Sequence, residues 1–158
     1  MASRAILSTI HLVAGVIGLL TITAFWSTSI AVEIFGDEAA IAAVKHFILS
    51  GMVVLIPSMA AVGGSGLRLG GSSRAPIIVA KRRRMIAVAA NGLLVLVPSA
   101  VFLAGRAGSG DFGVAFVAVQ AIELAAGAAN IILMGLNMRD GFRLTAKRRS
   151  RSSMARTA

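Results

Sequence analysis

Residues 114–136 form a stretch apolar enough to cross a bilayer, yet Gln120, Glu123, Gly127, Asn130, Met134 and then Asn137 recur along it at steps of three and four. On a helix of 3.6 residues per turn this spacing gathers them within an arc of roughly 100°. A carboxylate near the bilayer centre is costly if it faces lipid, so the seam must turn toward other helices, a water-filled cavity or a partner. The rest of the chain has to supply that shelter.

The means to do so are three further apolar segments, at 6–34, 39–62 and 85–104, in a chain of 158 residues that is 57% hydrophobic and 14% charged. Such a balance excludes an ordinary soluble domain, and four segments of about 20 residues leave no room for a large extramembrane one. The first segment is too long for the apolar region of a secretory signal, which runs about 7–15 residues, and is read as a retained span. Cysteine is absent, which excludes disulfides, thiolate metal sites and cysteine nucleophiles. The expected fold is all-α: one four-helix transmembrane antiparallel bundle over residues 1–144, followed by a basic, disordered cytoplasmic tail at 145–158.

Charge sets the expected orientation. Of 16 Lys and Arg residues, 13 lie in the middle connection (Arg68, Arg74, Lys81, Arg82, Arg83, Arg84) or in the tail (Arg139, Arg143, Lys147, Arg148, Arg149, Arg151, Arg156). Basic flanks stay in the cytoplasm, so both termini are predicted there. The connection at 33–38 is short and acidic, and that at 105–113 nearly neutral. The net charge of +10 is explained by topology and by contact with anionic lipid headgroups, each basic residue contributing about 1 kcal/mol, and no nucleic-acid partner is expected. The glycine-rich run GGSGLRLGG lacks the strand before it and the helix after it that a phosphate loop needs, and reads as a flexible connection.

Residues 51–64 (GMVVLIPSMAAVGG) and 92–105 (GLLVLVPSAVFLAG) echo each other, with Pro57 and Pro98 in register. The matches arise either from duplication, as in inverted-repeat transporters, or from convergence on a kinked helix. In both cases each proline frees a carbonyl one turn earlier and is expected to bend its helix.

Several side chains are candidates for chemistry. Two histidines exist, His11 and His46, and an intramembrane pair is a hint of a b-type haem. Their heights, roughly 13–25 Å apart along the membrane normal, prevent one iron from taking both within a single chain. If haem binds, the partner at the level of His11 would be a methionine such as Met59 or Met134. Sorted by depth, His11, Asn91 and Asn130 fall toward the cytoplasmic side, Glu123 with Thr21 and Ser50 near the middle, and His46, Gln120 and Trp26 toward the other face. This column is either an interhelical hydrogen-bond network, worth about 0.6 kcal/mol per bond, or a proton or solute path, or a ligand site. Lys45 is expected to snorkel outward and to pair with Glu33 across the first hairpin. Gly15 and Gly18, with Ala118, Ala121, Ala125 and Ala128, offer close-packing faces; the alanines point away from the seam, toward a bundle neighbour, a second copy of the chain or a larger membrane complex.

The run His11-Leu12-Val13-Ala14-Gly15 resembles the opening of several small bacterial membrane families, including the copper-resistance D proteins and the cytochrome b561-like group, whose first helix starts with a histidine followed by small residues. The likeness covers about one helix. Its b561-like side implies haem-ligating histidines, more of them than the two present. The whole chain is also similar in outline to small four-span proteins of proteobacterial inner membranes, a resemblance that implies location and carries no activity with it. The leading expectation is a non-enzymatic accessory or interaction subunit without a cofactor. The alternatives are an electron carrier binding haem b through His11 or His46, and a small proton or solute conductor centred on Glu123.

Overall fold

The computed structural model describes residues 2–157, with side chains over 4–144. It is an all-α, four-helix antiparallel bundle. The first span is α1 (Ala2–Phe35) and the second α2 (Glu38–Gly70). The third is made of α3 (Pro76–Asn91), a π-helical turn (Gly92–Leu96) and α4 (Val97–Gly108), and the last is α5 (Val114–Thr157). Each of the four is long and apolar enough to cross a membrane. The basic segment at 145–158, expected to be a disordered tail, instead continues α5 as far as Thr157, and its side chains lie outside the described ones.

Local chemistry sets the helix ends. Asp37 caps α2, its carboxylate accepting from the Ala40 N–H at 2.8 Å, and Glu38 adds a negative charge to the first turn. At the other end Gly71 leaves the helix at φ +50°, a region L side chains rarely adopt, and its N–H reaches the Leu67 carbonyl. Pro76 opens α3, where its missing N–H costs nothing.

Around the bundle α1 packs on α2 and α5, and the third span packs on the same two helices. Thus α2 and α5 face each other across a diagonal and, among the described residues, do not pack directly. Two apolar layers lie between the spans. Phe25, Ile48, Met52 and Ala100 form one, and Leu103, Ala107 and Phe116 form the other, toward the connection of α4 to α5. Outside, Leu20, Val53, Leu94 and Val117 are exposed, which places apolar surface where acyl chains would lie.

Two features depart from expectation. The helix α2 does not stop before the glycine-rich run but continues through Gly63 and Gly64 to Gly70, leaving only residues 71–75 as the connection. Glycine is tolerated there because its helical cost is small beside packing: Gly66 lies where a Cβ would meet Met85 and His11 at about 3 Å. The prolines also differ in their surroundings. Pro57 sits inside an uninterrupted α2, whereas Pro98 lies two residues after the π-helical turn, where the Val97 N–H bonds the Gly92 carbonyl five residues back. The echoed segments therefore share sequence but not backbone.

Candidate functional site

The seam of α5 faces the bundle interior. Gln120, Gly127, Asn130 and the following Asp140 are buried, and Glu123, Met134 and Asn137 are partly so. The side chain of Glu123 is 11% exposed, and its Oε2 lies 2.8 Å from Lys45 Nζ. Lys45 is 1% exposed, so the expectation that it snorkels outward to Glu33 is overturned. The reason lies in its helical face: Lys45, Ile48 and Met52 follow one another at steps of three and four and are all buried. Its ammonium also lies 3.3 Å from Ser29 Oγ on α1, completing a three-helix contact. Glu33 is exposed and, among the described residues, forms no ion pair, although it lies within electrostatic range of both partners.

One turn from this pair Trp26 donates its indole N–H to the Leu124 carbonyl at 2.9 Å. Gly127 makes the approach possible, since a Cβ there would stand 3.0 Å from the indole. A cavity of about 40 Å³ remains beside Glu123, Ser29 and Trp26, large enough for water by volume and polar on one side. Deeper toward the terminal end Asn91 donates to Asn130 Oδ1 at 2.9 Å and to the Ala126 carbonyl at 2.9 Å. Asn130 in turn donates to the Val88 carbonyl. This last bond ties α5 to α3 just before the π-helical turn. Gln120 stands apart: it is 4% exposed and neither amide atom has a hydrogen-bond partner among the described residues.

At the terminal end the interior opens. Two adjoining cavities, about 120 Å³ inside and 830 Å³ toward the surface, share His11, Leu12, Lys81, Met85 and Met138 as walls. Met59 and Met134 line only the inner one. His11 Nδ1 is 3.0 Å from Ser65 Oγ, and the Ser65 hydroxyl is directed to the Ala61 carbonyl. Nearby, Arg84 Nη1 lies 2.7 Å from Asp140 Oδ2, with Arg139 on the other carboxylate oxygen at 3.4 Å.

His46 lies at the opposite end of α2, faces outward beside Gly108, and bonds the Ala42 carbonyl through Nδ1. The structure therefore keeps His11 and His46 apart. Among the described residues no group of three or more His, Asp or Glu side chains is placed to hold a metal ion. Pro57 and Pro98 are both exposed and take no part in the polar interior. Ala118, Ala121 and Ala125 are exposed on the outer face of α5, while Ala128 is half-buried.

Sequence reasoning missed three contributors: Lys45 as the partner of Glu123, Ser29, and Lys81 at the vestibule. The first two had a signal, since Ile22, Phe25 and Ser29 share a face of α1 as Lys45, Ile48 and Met52 share one of α2. Compared with protein-family models, with curated proteins and with solved structures, the chain matches none.

Proposed function

We propose that this integral membrane protein is a non-enzymatic accessory or interaction subunit of a bacterial inner membrane, with both termini on the cytoplasmic side. The observation that carries the reading is the diagonal ion pair of Lys45 and Glu123: the residue best suited to relay a proton is held by a buried cation. The neighbouring amides are engaged in the same way, Asn91 and Asn130 with each other and with backbone carbonyls. Bonds from the seam to α2 and α3 fix which helix faces meet, a role well served by interhelical hydrogen bonds in lipid. What is offered outward is the exposed alanine face of α5, on which another helix can approach closely.

The orientation rests on the 13 basic residues gathered at one end of the sequence plan. Two of the remaining three, Lys45 and Arg106, are matched by carboxylates in the structure, which leaves the loop end of the bundle poor in free positive charge. The testing experiment is proton flux into liposomes containing the full chain, with a pH-sensitive dye inside. Wild type and Glu123→Gln should leak no faster than empty vesicles. A wild-type flux abolished by Glu123→Gln would assign conduction instead.

A further inference from the structure

We infer that the vestibule at the terminal end is a binding site for an anionic phospholipid of the surrounding bilayer, headgroup on Lys81 and Arg82 and one acyl chain directed inward. The inference is independent of the accessory reading and concerns a different part of the molecule from the ion pair.

Charge is the first observation. Of the chain's six acidic residues only Asp140 lies near this end, and it is engaged by Arg84 and Arg139. Lys81 and Arg82 both line the outer cavity, and among the described residues neither has a carboxylate within ion-pair distance. Arg82 uses one guanidinium nitrogen on the Gly71 carbonyl at 2.6 Å, which anchors the side chain while its other donors remain for a ligand. Asp140 acts on Lys81 across space, but its carboxylate is already bonded by Arg84 and Arg139, so positive charge outnumbers negative at this end and the half-buried Lys81 and Arg82 suit an added anion.

The shape of the cavity decides what kind of anion. Leu67, Ile78, Met138 and Phe142 form much of the outer wall, and the inner chamber continues between Met59, Val62, Val88 and Met134. It holds about 120 Å³, and although His11, Lys81 and Asn137 also line it, its wall is mainly apolar, which suits the end of a hydrocarbon chain. The basic run Lys81 to Arg84 marks the level of the headgroups, from which the vestibule leads into the apolar interior. Basic pockets between spans are suited to anionic headgroups on the cytoplasmic face, where such lipids are concentrated. A free phosphate would satisfy the cations and leave the apolar walls without a partner.

The test uses the full chain in a neutral detergent, with binding of short-chain phosphatidylglycerol, phosphatidylcholine and glycerol phosphate followed by native mass spectrometry. Phosphatidylglycerol should bind, with phosphatidylcholine much weaker and glycerol phosphate undetected. Removing both charges in Lys81→Gln/Arg82→Gln should weaken phosphatidylglycerol about 30-fold, the equivalent of about 1 kcal/mol per cation. Should that variant fail to fold, Lys81→Gln alone should weaken binding about fivefold on the same scale. Arg83→Gln, exposed and off the vestibule wall, serves as the reference and should bind as wild type does. Equal binding of the two phospholipids, binding of glycerol phosphate alone, or equal losses at Lys81 and Arg83 would each overturn the assignment.

Discussion

Lys45 and Glu123 meet at 2.8 Å across the diagonal of the bundle, joining the two helices whose backbones do not pack. Each partner is the other's compensation for leaving water, so removing one leaves an uncompensated buried charge. Lys45→Met or Glu123→Leu alone should therefore destabilise by about 3 to 5 kcal/mol. The double variant Lys45→Met/Glu123→Leu should recover most of that loss or exceed the parent, because apolar side chains fill the same space without desolvation. Unfolding in detergent followed through the single tryptophan, Trp26, reads all four proteins. Additive losses in the double variant would show that the two side chains do not act as a pair.

Gln120 presents the opposite case, a buried amide with no partner, three residues from the ion pair. Replacing a polar group left unsatisfied removes a penalty, so Gln120→Leu should stabilise by about 1 to 3 kcal/mol. Asn130→Leu, at the same seam, should lose stability because it strips Asn91 of its side-chain acceptor. Measured together, these variants separate a bonded seam from a merely polar one. A destabilised Gln120→Leu protein would mean that the amide has a partner of its own.

The seam was legible because α-helical periodicity acts within one segment: the residues of 120–137 share a face whatever surrounds them. The partner of Glu123 was not, since it lies 78 residues away on the diagonal helix and the two are brought together only by the packing of the others. The place of Lys45 near a helix end suggests snorkelling, but the face it shares with the buried Ile48 and Met52 is what decides its direction. The length of α2 is not legible, because a run as rich in glycine as GGSGLRLGG reads as a connection, whereas close packing of Gly66 against Met85 and His11 keeps it helical. The vestibule could not be read at all, since its walls come from α1, α2, α3 and α5 together.

Glycines in one helix carry different loads. At Gly51 a Cβ would stand 2.4 Å from the tip of the Phe25 ring, which is itself held in the core against Ile48 and Met52. A buried aromatic ring cannot move aside cheaply, so Gly51→Ala should cost about 1 to 3 kcal/mol through overpacking. Gly64 has nothing within 4 Å of the same position and sits inside the continuous part of α2. There Gly64→Ala should gain about 0.5 to 1 kcal/mol by removing backbone freedom from the unfolded chain. If residues 63–64 were a flexible connection, the second substitution would have no effect on the unfolding midpoint.

Between α4 and α5 the turn is organised by Asp111. Its carboxylate accepts from the Gly113 N–H at 3.1 Å and pairs with Arg106, whose guanidinium also lies 5.2 Å from the centre of the Phe102 ring. The backbone bond to Gly113 and then the bond from Arg106 hold the Asp111 carboxyl below its ordinary value of 3.8. A folded pKa lower than the unfolded one means that the contribution is fully present above the unfolded value and disappears as pH falls through the folded one. The turn should therefore be insensitive to pH from neutrality down to about pH 5 and loosen only below about pH 4, as the carboxylate is protonated. Amide hydrogen exchange at 109–113, corrected for the intrinsic pH dependence, measures the loosening. Asp111→Asn keeps an acceptor for Gly113 but cannot titrate, so its corrected protection should be flat across the same range. A wild-type turn that opens near neutral pH, or an Asp111→Asn turn that still responds below pH 4, would place the controlling group elsewhere.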